Sequence, residues 1–259
     1  MKLSVVIPAR DEEGSIGQTV GEVIGALSRE RIPHEIVVVD DGSTDTTAAK
    51  VREAMTRQPG VRLVCNDGPH GFGLAVRAGL AHASGDAVAV MMADGSDSPD
   101  DLVRYYRKIL EGYDCAFGSR FIRGSRIVDY PVHKLAMNRL ANWFIRILFA
   151  FRYNDITNAF KCYRCQAING MQPLISAHFN LTVEMPLKAI VRGYSYAVVP
   201  ISWTNRKSGI SKLKIKEMGS RYLFIVLYLW LERHLSRGDY RRREESAEHA
   251  VAGSRPSHL

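Results

Sequence analysis

The sequence predicts an α/β protein with a mostly parallel central sheet and helices on both faces. Two observations carry that expectation. Short β-rich apolar runs alternate with helical patterns through the first half of the chain. Two of those runs end abruptly in carboxylates, Val37-Val38-Val39-Asp40-Asp41-Gly42-Ser43 and Val90-Met91-Met92-Ala93-Asp94-Gly95-Ser96-Asp97. A short apolar run of this kind reads as a strand buried on both faces, as parallel sheets require. A strand that ends in charge delivers it to the carboxyl edge, where open α/β sheets bind ligands. Carboxylates that meet there repel each other unless a cation joins them, and hard cations such as Mg2+ reach proteins through carboxylates plus substrate phosphates. The two turns therefore predict one polar site for a nucleotide with its metal.

In chain order, residues 3–7, 35–39, 61–65, 87–92 and 115–118 are the expected strands, with helices near 15–28, 44–55, 71–83 and 99–110 between them. This alternation is the signature of strand-helix-strand units. Ser43, Thr44 or Asp45 is placed to cap the second helix, and Ser98-Pro99-Asp100-Asp101 sets proline and acids at the start of the fourth. Gly68-Pro69-His70-Gly71-Phe72-Gly73 opens the third. Its glycines permit close backbone approach, and it reads as supporting structure.

The second half differs. Residues 131–151 read as an amphipathic helix that becomes almost wholly apolar over 143–151, and 222–231 form a second apolar run fenced by Arg221, Glu232 and Arg233. Neither reaches the roughly 20 residues that span a bilayer. Core packing stays open for the first, whereas the second, aromatic and aliphatic between basic flanks, suits a membrane interface. The expected organisation is a catalytic domain over 1–216, an interfacial helix over 217–236 and a structureless tail over 237–259.

Composition narrows the function classes. The chain has 259 residues, 46% of them hydrophobic, enough for a substantial core. Its formal net charge of +8 matches that of the stretch from Arg206 to Arg243 taken alone, so the rest is balanced. A basic C-terminal block beside a neutral body points to a local anionic partner, phosphate or a membrane surface. With no recognised binding module beside it, nucleic acid is not expected. The four cysteines are too scattered for a disulfide framework, and Cys162-Tyr163-Arg164-Cys165 lacks a second ligand pair for zinc. A reduced, cytoplasmic chain is expected, since the first strand begins without a signal-peptide pattern.

Several motifs, in this order and spacing, resemble glycosyltransferase family 2, of the GT-A fold. They are Pro8-Ala9-Arg10-Asp11-Glu12-Glu13, Asp40-Asp41-Gly42-Ser43-Thr44-Asp45, Gly118-Ser119-Arg120-Phe121 and Asp155-Ile156-Thr157-Asn158-Ala159-Phe160-Lys161. Phe179 with Glu184 follows, then Val199-Pro200-Ile201 with Arg206, Gly209, Ser211 and Lys212. The branch they resemble is that of dolichyl-phosphate mannose synthases and related polyprenyl-phosphate glycosyltransferases. The resemblance covers roughly residues 3–216.

The resemblance implies that Pro8, Asp11, Glu12 and Asp40 surround the nucleotide base and ribose; for Glu13 and Asp45, residue type and position favour helix capping and turn formation instead. It makes Asp94 a ligand of Mg2+ or Mn2+, although Met92-Ala93-Asp94 stands where the family has Asp-x-Asp. Asp97, three residues on, is the expected replacement ligand. With Asp94, the residues expected to carry catalysis are Arg120, Arg206 and Lys212, cations for phosphate, of which Arg120 can clamp in a bidentate fashion. Lys134 and Asn138 stand where the family often has Arg and Ser. The implied reaction is inverting transfer of a hexose, mannose before glucose, from GDP-mannose or UDP-glucose to a polyprenyl phosphate at the cytoplasmic membrane face. A small membrane-protein subunit remains open as a partner. Two rivals stand beside this: a soluble family 2 enzyme acting on a hydroxyl with Asp155 or Glu184 as general base, and a non-catalytic nucleotide- or membrane-binding relative whose metal site decayed at Met92.

Overall fold

The structure, a computed structural model, describes residues 1–205 and 215–242, apart from the side chains of 215–218. Strands β1 (Leu3–Ala9), β2 (His34–Asp40), β3 (Val61–Cys65), β4 (Ala87–Val90) and β5 (Cys115–Ser119) alternate with helices α1 (Ile16–Arg29), α2 (Thr47–Arg57), α3 (Phe72–His82) and α4 (Pro99–Leu110). Every residue of β1 and of β4 is buried, as continuous apolar runs require. There follow β6 (Arg126–Val128), α5 (Val132–Phe149), β7 (Lys161–Arg164), α6 (Cys165–Gly170), α7 (Leu181–Val191), β8 (Tyr196–Pro200), β9 (Ser202–Thr204) and α8 (Ile215–Leu235).

The main sheet has the order β3-β2-β1-β4-β7-β5-β8, and a separate pair joins β6 to β9. All neighbours in the main sheet are parallel except β7, which lies antiparallel between β4 and β5. The expected mostly parallel sheet is therefore present. Alternate side chains of the buried strands feed two cores. Val5, Ile7, Ile36 and Val38 pack with Val20, Leu27, Leu102 and Ile109 of α1 and α4. On the other face, Val6, Val37, Val39 and Phe117 pack with Val76, Phe149, Leu187 and Ile225 of α3, α5, α7 and α8.

α4 starts at Pro99 with Asp100 and Asp101 in its first turn, as expected. α2 begins one residue beyond the expected cap: Asp45 Oδ1 accepts the Thr47 N–H at 2.9 Å, and Thr46, at the cap position, instead donates to Glu13 Oε2. Asp45 and Glu13 thus serve the turns. The four cysteines are free, with Cys162 buried in β7.

α5 and α8 each divide their apolar residues between the body and the outside. Ile145 and Phe149 of α5 are buried, while Leu140, Trp143 and Ile147 are exposed. On α8, Ile225, Val226 and Leu229 are buried and Phe224, Leu227 and Leu231 exposed. Arg192 grips Glu232 with two hydrogen bonds of 2.9 and 3.0 Å, fixing α8 against the end of α7. Residues 237–242 were expected to begin a structureless tail, yet they close back onto the body. The Arg242 N–H donates to Arg192 O at 2.8 Å, its guanidinium meets Asp114 at 2.7 Å, and Tyr240 covers Arg192. The remainder of the tail, 243–259, lies outside the described residues. Among the described residues, no helix is long and apolar enough to cross a membrane.

One carboxylate far from the carboxyl edge locks the opposite side of the sheet. Glu35, at the start of β2, accepts from Ser4 Oγ at 2.6 Å, Ser84 N at 2.6 Å and Lys2 Nζ at 2.9 Å. Burial pushes its carboxyl up, but these hydrogen bonds outweigh burial and hold it down at about 2, against an ordinary 4.5. Because the folded value is depressed, its contribution to stability is full above pH 4.5 and is lost as pH falls through about 2. Glu35→Gln is expected to cost about 1–3 kcal/mol at neutral pH. The gap from wild type should shrink in acid, as urea denaturation across pH will show.

Candidate active site

The carboxyl ends of β2, β1 and β4 lie side by side, and both acidic turns emerge there. Ala9 pairs with Asp40 across the strands, and the Asp41 N–H donates to Ala9 O at 2.9 Å. Asp40 is 9% exposed and its Oδ1 accepts the Ser43 N–H at 3.0 Å. Asp11 has a left-handed φ of 49°, and its Oδ1 accepts from Thr44 N at 2.8 Å while its own N–H donates to Ser43 Oγ. The Glu12 N–H donates to Thr47 Oγ1 and Glu12 Oε2 accepts from Ser15 Oγ. Pro8, Asp11, Glu12 and Asp40 thus gather at one edge, with the two loops laced together.

Asp41 has a different task from its neighbour. Its carboxylate accepts from Asn66 Nδ2 at 2.7 Å and Gly71 N at 2.8 Å, with His70 Nδ1 at 3.4 Å. It therefore fastens the glycine-rich loop that opens α3. Gly42 sits at φ +74°, and a Cβ there would lie 2.5 Å from His70 Cε1. The positive φ favours glycine, and a Cβ there would have to push the His70 ring aside.

The second acidic turn forms a pair of carboxylates. Asp97 is 4% exposed, and its Oδ2 accepts the Met92 N–H at 3.1 Å. Asp94 Oδ1 accepts the Ser96 N–H at 3.0 Å, and Gly95 between them takes φ +70°. Burial first, then Asp94, raises the Asp97 carboxyl from 3.8 to about 7, against opposition from the Met92 N–H and Arg120. Two carboxylates in repulsion, one of them buried, on the wall of an open cavity with the Ser96 hydroxyl nearby, form an all-oxygen donor set that suits a hard divalent cation. Among the described residues no group of three or more acidic, His or Cys side chains gathers as a metal cluster. Two carboxylates suffice where diphosphate and water complete the shell.

Arg120, at the end of β5, is 8% exposed and committed to Asp155. Its Nε, Nη2 and backbone N–H donate to the two carboxylate oxygens at 2.8, 2.7 and 2.9 Å. Burial would lower its guanidinium, but Asp155 more than offsets this and keeps it protonated. The rings of Phe121, Tyr130 and Trp203 surround its Cζ at 5.5 to 5.9 Å. The bidentate fork expected for phosphate is thus occupied from within by Asp155, which leaves Arg120 as a fixed positive wall. Glu184 is likewise consumed: it is fully buried, accepts from Ile175 N and Ser176 N, and meets Lys188 at 2.7 Å. Neither carboxylate named as a general base is placed to act as one.

Asp94, Asp97 and Arg120 line one polar cavity of about 230 Å³, together with Asn158, Trp203 and Asn205. Pro8, Asp11, Glu12 and Asp40 lie at the neighbouring strand ends and do not line it. Arg206 and Lys212, with Lys207, Gly209, Ser211 and Lys214 of the same stretch, fall outside the described residues. A second, larger cavity of about 350 Å³ runs between α5 and α8, walled by Met137, Phe144, Ile145, Leu223 and Val226. The two cavities share Tyr130, Lys134, Asn138, Thr157 and Tyr222. Lys134 and Asn138 thus stand at the mouth between a polar and an apolar space. Thr157 and Asn158 sit inside the motif from Asp155 to Lys161, where nothing in the sequence separates lining residues from buried ones. Trp203 reaches the site because it pairs with Asp97 as an isolated bridge.

An α/β sheet that gathers hard oxygen ligands and a fixed cation at one carboxyl edge is the frame of a protein that handles phosphorylated ligands. The chain belongs to glycosyl transferase family 2, whose family model matches residues 4–170, and it is a glycosyltransferase. It is 32% identical over 215 residues to the polyprenol monophosphomannose synthase of Mycolicibacterium smegmatis, covering 81% of this chain and 80% of that protein. It is 31% identical to the dolichol-phosphate mannosyltransferase of Pyrococcus furiosus, covering 83% of this chain and 60% of that one. A third relative, 26% identical, is the undecaprenyl-phosphate mannosyltransferase of Micrococcus luteus, with 82% and 88% covered. Among solved structures, glucosyl-3-phosphoglycerate synthase from Mycobacterium tuberculosis, in complex with Mn2+, uridine diphosphate and phosphoglyceric acid, shares the fold. That match has a TM-score of 0.66 at 20% identity and covers 90% of this chain and 78% of that one.

Proposed function

We propose that the chain transfers a hexose from its nucleotide sugar, mannose from GDP-mannose before glucose from UDP-glucose, to a polyprenyl phosphate at the cytoplasmic membrane face. The observation that carries this reading is the junction of the two cavities. A polar space with a carboxylate pair and Arg120 opens, past Lys134, Asn138 and Thr157, into an apolar groove between α5 and α8. An isoprenoid chain in the groove sets its phosphate at that mouth. The names of the three relatives support the same acceptor and sugar.

A phosphate acceptor also fits a site in which Asp155 and Glu184, the two carboxylates considered as general bases, are both engaged elsewhere. The second pKa of a phosphate monoester is about 6, so an oxyanion is present at neutral pH. It attacks the anomeric carbon, the bond from that carbon to the diphosphate oxygen breaks, and the electron pair leaves with the nucleoside diphosphate, inverting the centre. No proton has to move. The remaining task is to bring two anions together, which fixed cations make possible. Arg120 supplies one and Lys134 a second at the mouth, and Arg206 and Lys212 are proposed to add to them from the stretch before α8. Asp94 and Asp97 would hold Mg2+ or Mn2+, which supplies charge neutralisation to the leaving diphosphate when bound. Pro8, Asp11, Glu12 and Asp40 are proposed to hold the nucleoside.

The exposed stripes of α5 and α8, with Trp143, Phe224 and Leu227 among them, suit the headgroup boundary of a membrane. Sedimentation with anionic vesicles tests this, and protein that stays in solution removes it. The reaction is tested by incubating purified protein with polyprenyl phosphate and labelled donors. Label from one donor should pass into the organic phase, and no such transfer from any donor sinks the reading. Leu223→Glu places charge in the groove and should raise the acceptor KM by about 10-fold or more while leaving the donor KM unchanged.

A further inference from the structure

Four consecutive residues of the loop between α5 and β7, Asp155 to Asn158, are all tied to neighbouring segments. Asp155 holds Arg120 at the end of β5. The Ile156 N–H donates to Asn142 Oδ1 of α5 at 2.6 Å. Thr157 Oγ1 accepts from Asn138 Nδ2 at 2.7 Å and from Asn142 Nδ2 at 3.2 Å. The carbonyls of Ile156 and Asn158 accept from Lys161 Nζ, which also reaches Thr182 O of α7. The loop therefore bridges the helix that walls the groove and the guanidinium that faces the polar cavity.

Asn142 is the point where α5 enters this bridge. It is 1% exposed, on a helix whose outer face carries Leu140, Trp143 and Ile147. An aliphatic side chain there would pack without desolvating an amide, so the amide costs stability unless both of its ends are used. Both are. Oδ1 accepts from the loop backbone, while Nδ2 donates to Asn138 O at 2.8 Å and to the Thr157 hydroxyl. Asn138 in turn stands at the mouth shared by the two cavities.

We propose that Asn142 is a positioning residue that couples the seating of an acceptor chain in the α5–α8 groove to the placement of Arg120. A shift of α5 that admits the chain carries Asn142 with it. Asn142 moves Ile156 through its backbone N–H and Thr157 through its hydroxyl, and the adjoining Asp155 carries Arg120. This rests on the reading of the groove as the acceptor seat.

The test uses the full chain, with Asn142→Leu compared with wild type on a long polyprenyl phosphate and on a prenyl phosphate too short to fill the groove. Asn142→Leu should lower kcat with the long acceptor by about 10- to 100-fold, the scale of a small misplacement at a reacting centre. It should also erase the advantage of the long acceptor over the short one. Donor affinity by calorimetry should stay within about twofold, since the nucleoside edge is untouched. Asn142→Asp, which keeps the acceptor for Ile156 N–H, should recover part of the loss. A folded Asn142→Leu with wild-type kcat and wild-type chain-length preference overturns the coupling. Where Asn142→Leu does not fold, Thr157→Val removes the hydrogen bond from Asn142 Nδ2 on the loop side and leaves that from the Ile156 N–H; it should weaken the chain-length preference in part, and an unchanged preference there overturns the coupling as well. Wild-type protein that makes no lipid-linked sugar overturns the functional reading itself, and the coupling with it.

Discussion

Asp97→Asn will lower sugar transfer by about 10²- to 10³-fold while leaving the protein folded and, without metal, at least as stable as wild type. The two halves of this result have one cause. Asp97 is buried beside Asp94, and its carboxyl is pushed up to about 7 because the charged form is desolvated and repelled. A neutral amide removes that strain, and its oxygen can still accept the Met92 N–H that Asp97 now holds at 3.1 Å. The same amide cannot neutralise a cation. Loss of one electrostatic partner of a developing charge costs about 10²- to 10³-fold in kcat, and the loss here should reach that range. Calorimetry of nucleoside diphosphate with Mn2+ should show metal-dependent binding in wild type and little in the variant. Full metal-dependent activity in Asp97→Asn would remove Asp97 from the site. Metal-independent nucleotide binding in wild type would instead favour a protein whose metal site has decayed at Met92. Asp41→Asn is the contrasting case. That carboxylate holds Asn66 and the Gly71 N–H, both partly exposed, so its loss should lower stability by about 0.5–1.5 kcal/mol, the worth of an ordinary hydrogen bond.

The contrast between Asp41 and Asp97 shows what the sequence makes legible. β1, β2, β4 and β5 announce themselves because a strand buried on both faces is held to be largely apolar, and a helix start is marked by Pro99, Asp100 and Asp101. β7 gives no such signal. Its four residues, Lys161 to Arg164, show no period-2 pattern, and the first is a fully buried lysine whose burial is compensated by three carbonyls, two from the loop just before it and one from α7. A strand inserted antiparallel by a returning chain depends on contacts that local pattern does not encode. α8 hides its amphipathicity in a different way. Its inner and outer faces are both apolar, so Ile225 against the core and Phe224 toward the outside look alike in the sequence. At the site, Asp94 and Asp97 were legible as a turn. The commitment of Arg120 to Asp155 was not, since 35 residues separate the partners and each looks like a ligand-binding group when read alone.

That commitment leads to the second large effect. Asp155→Asn should destabilise the protein by about 3–5 kcal/mol, because it leaves a buried guanidinium without its counter-charge. Activity will fall with it, which alone says nothing about chemistry, since a loosened fold also loses activity. The double replacement Arg120→Met with Asp155→Leu separates the two. Exchange of a whole buried ion pair for apolar side chains of similar volume is often neutral or stabilising by about 1–4 kcal/mol. The double variant should therefore recover the melting temperature that the single variant loses. It should not recover transfer, because the positive wall beside Tyr130 and Trp203 is gone and two anions must then meet in the cavity without it. Arg120→Lys is the intermediate case, in which charge persists but the planar fork that grips Asp155 does not. Stability restored with activity still absent assigns Arg120 to the reaction. If the double variant transfers sugar at the wild-type rate, Arg120 and Asp155 are a structural pair, and the cations that face the phosphates must be sought among Lys134, Arg206 and Lys212.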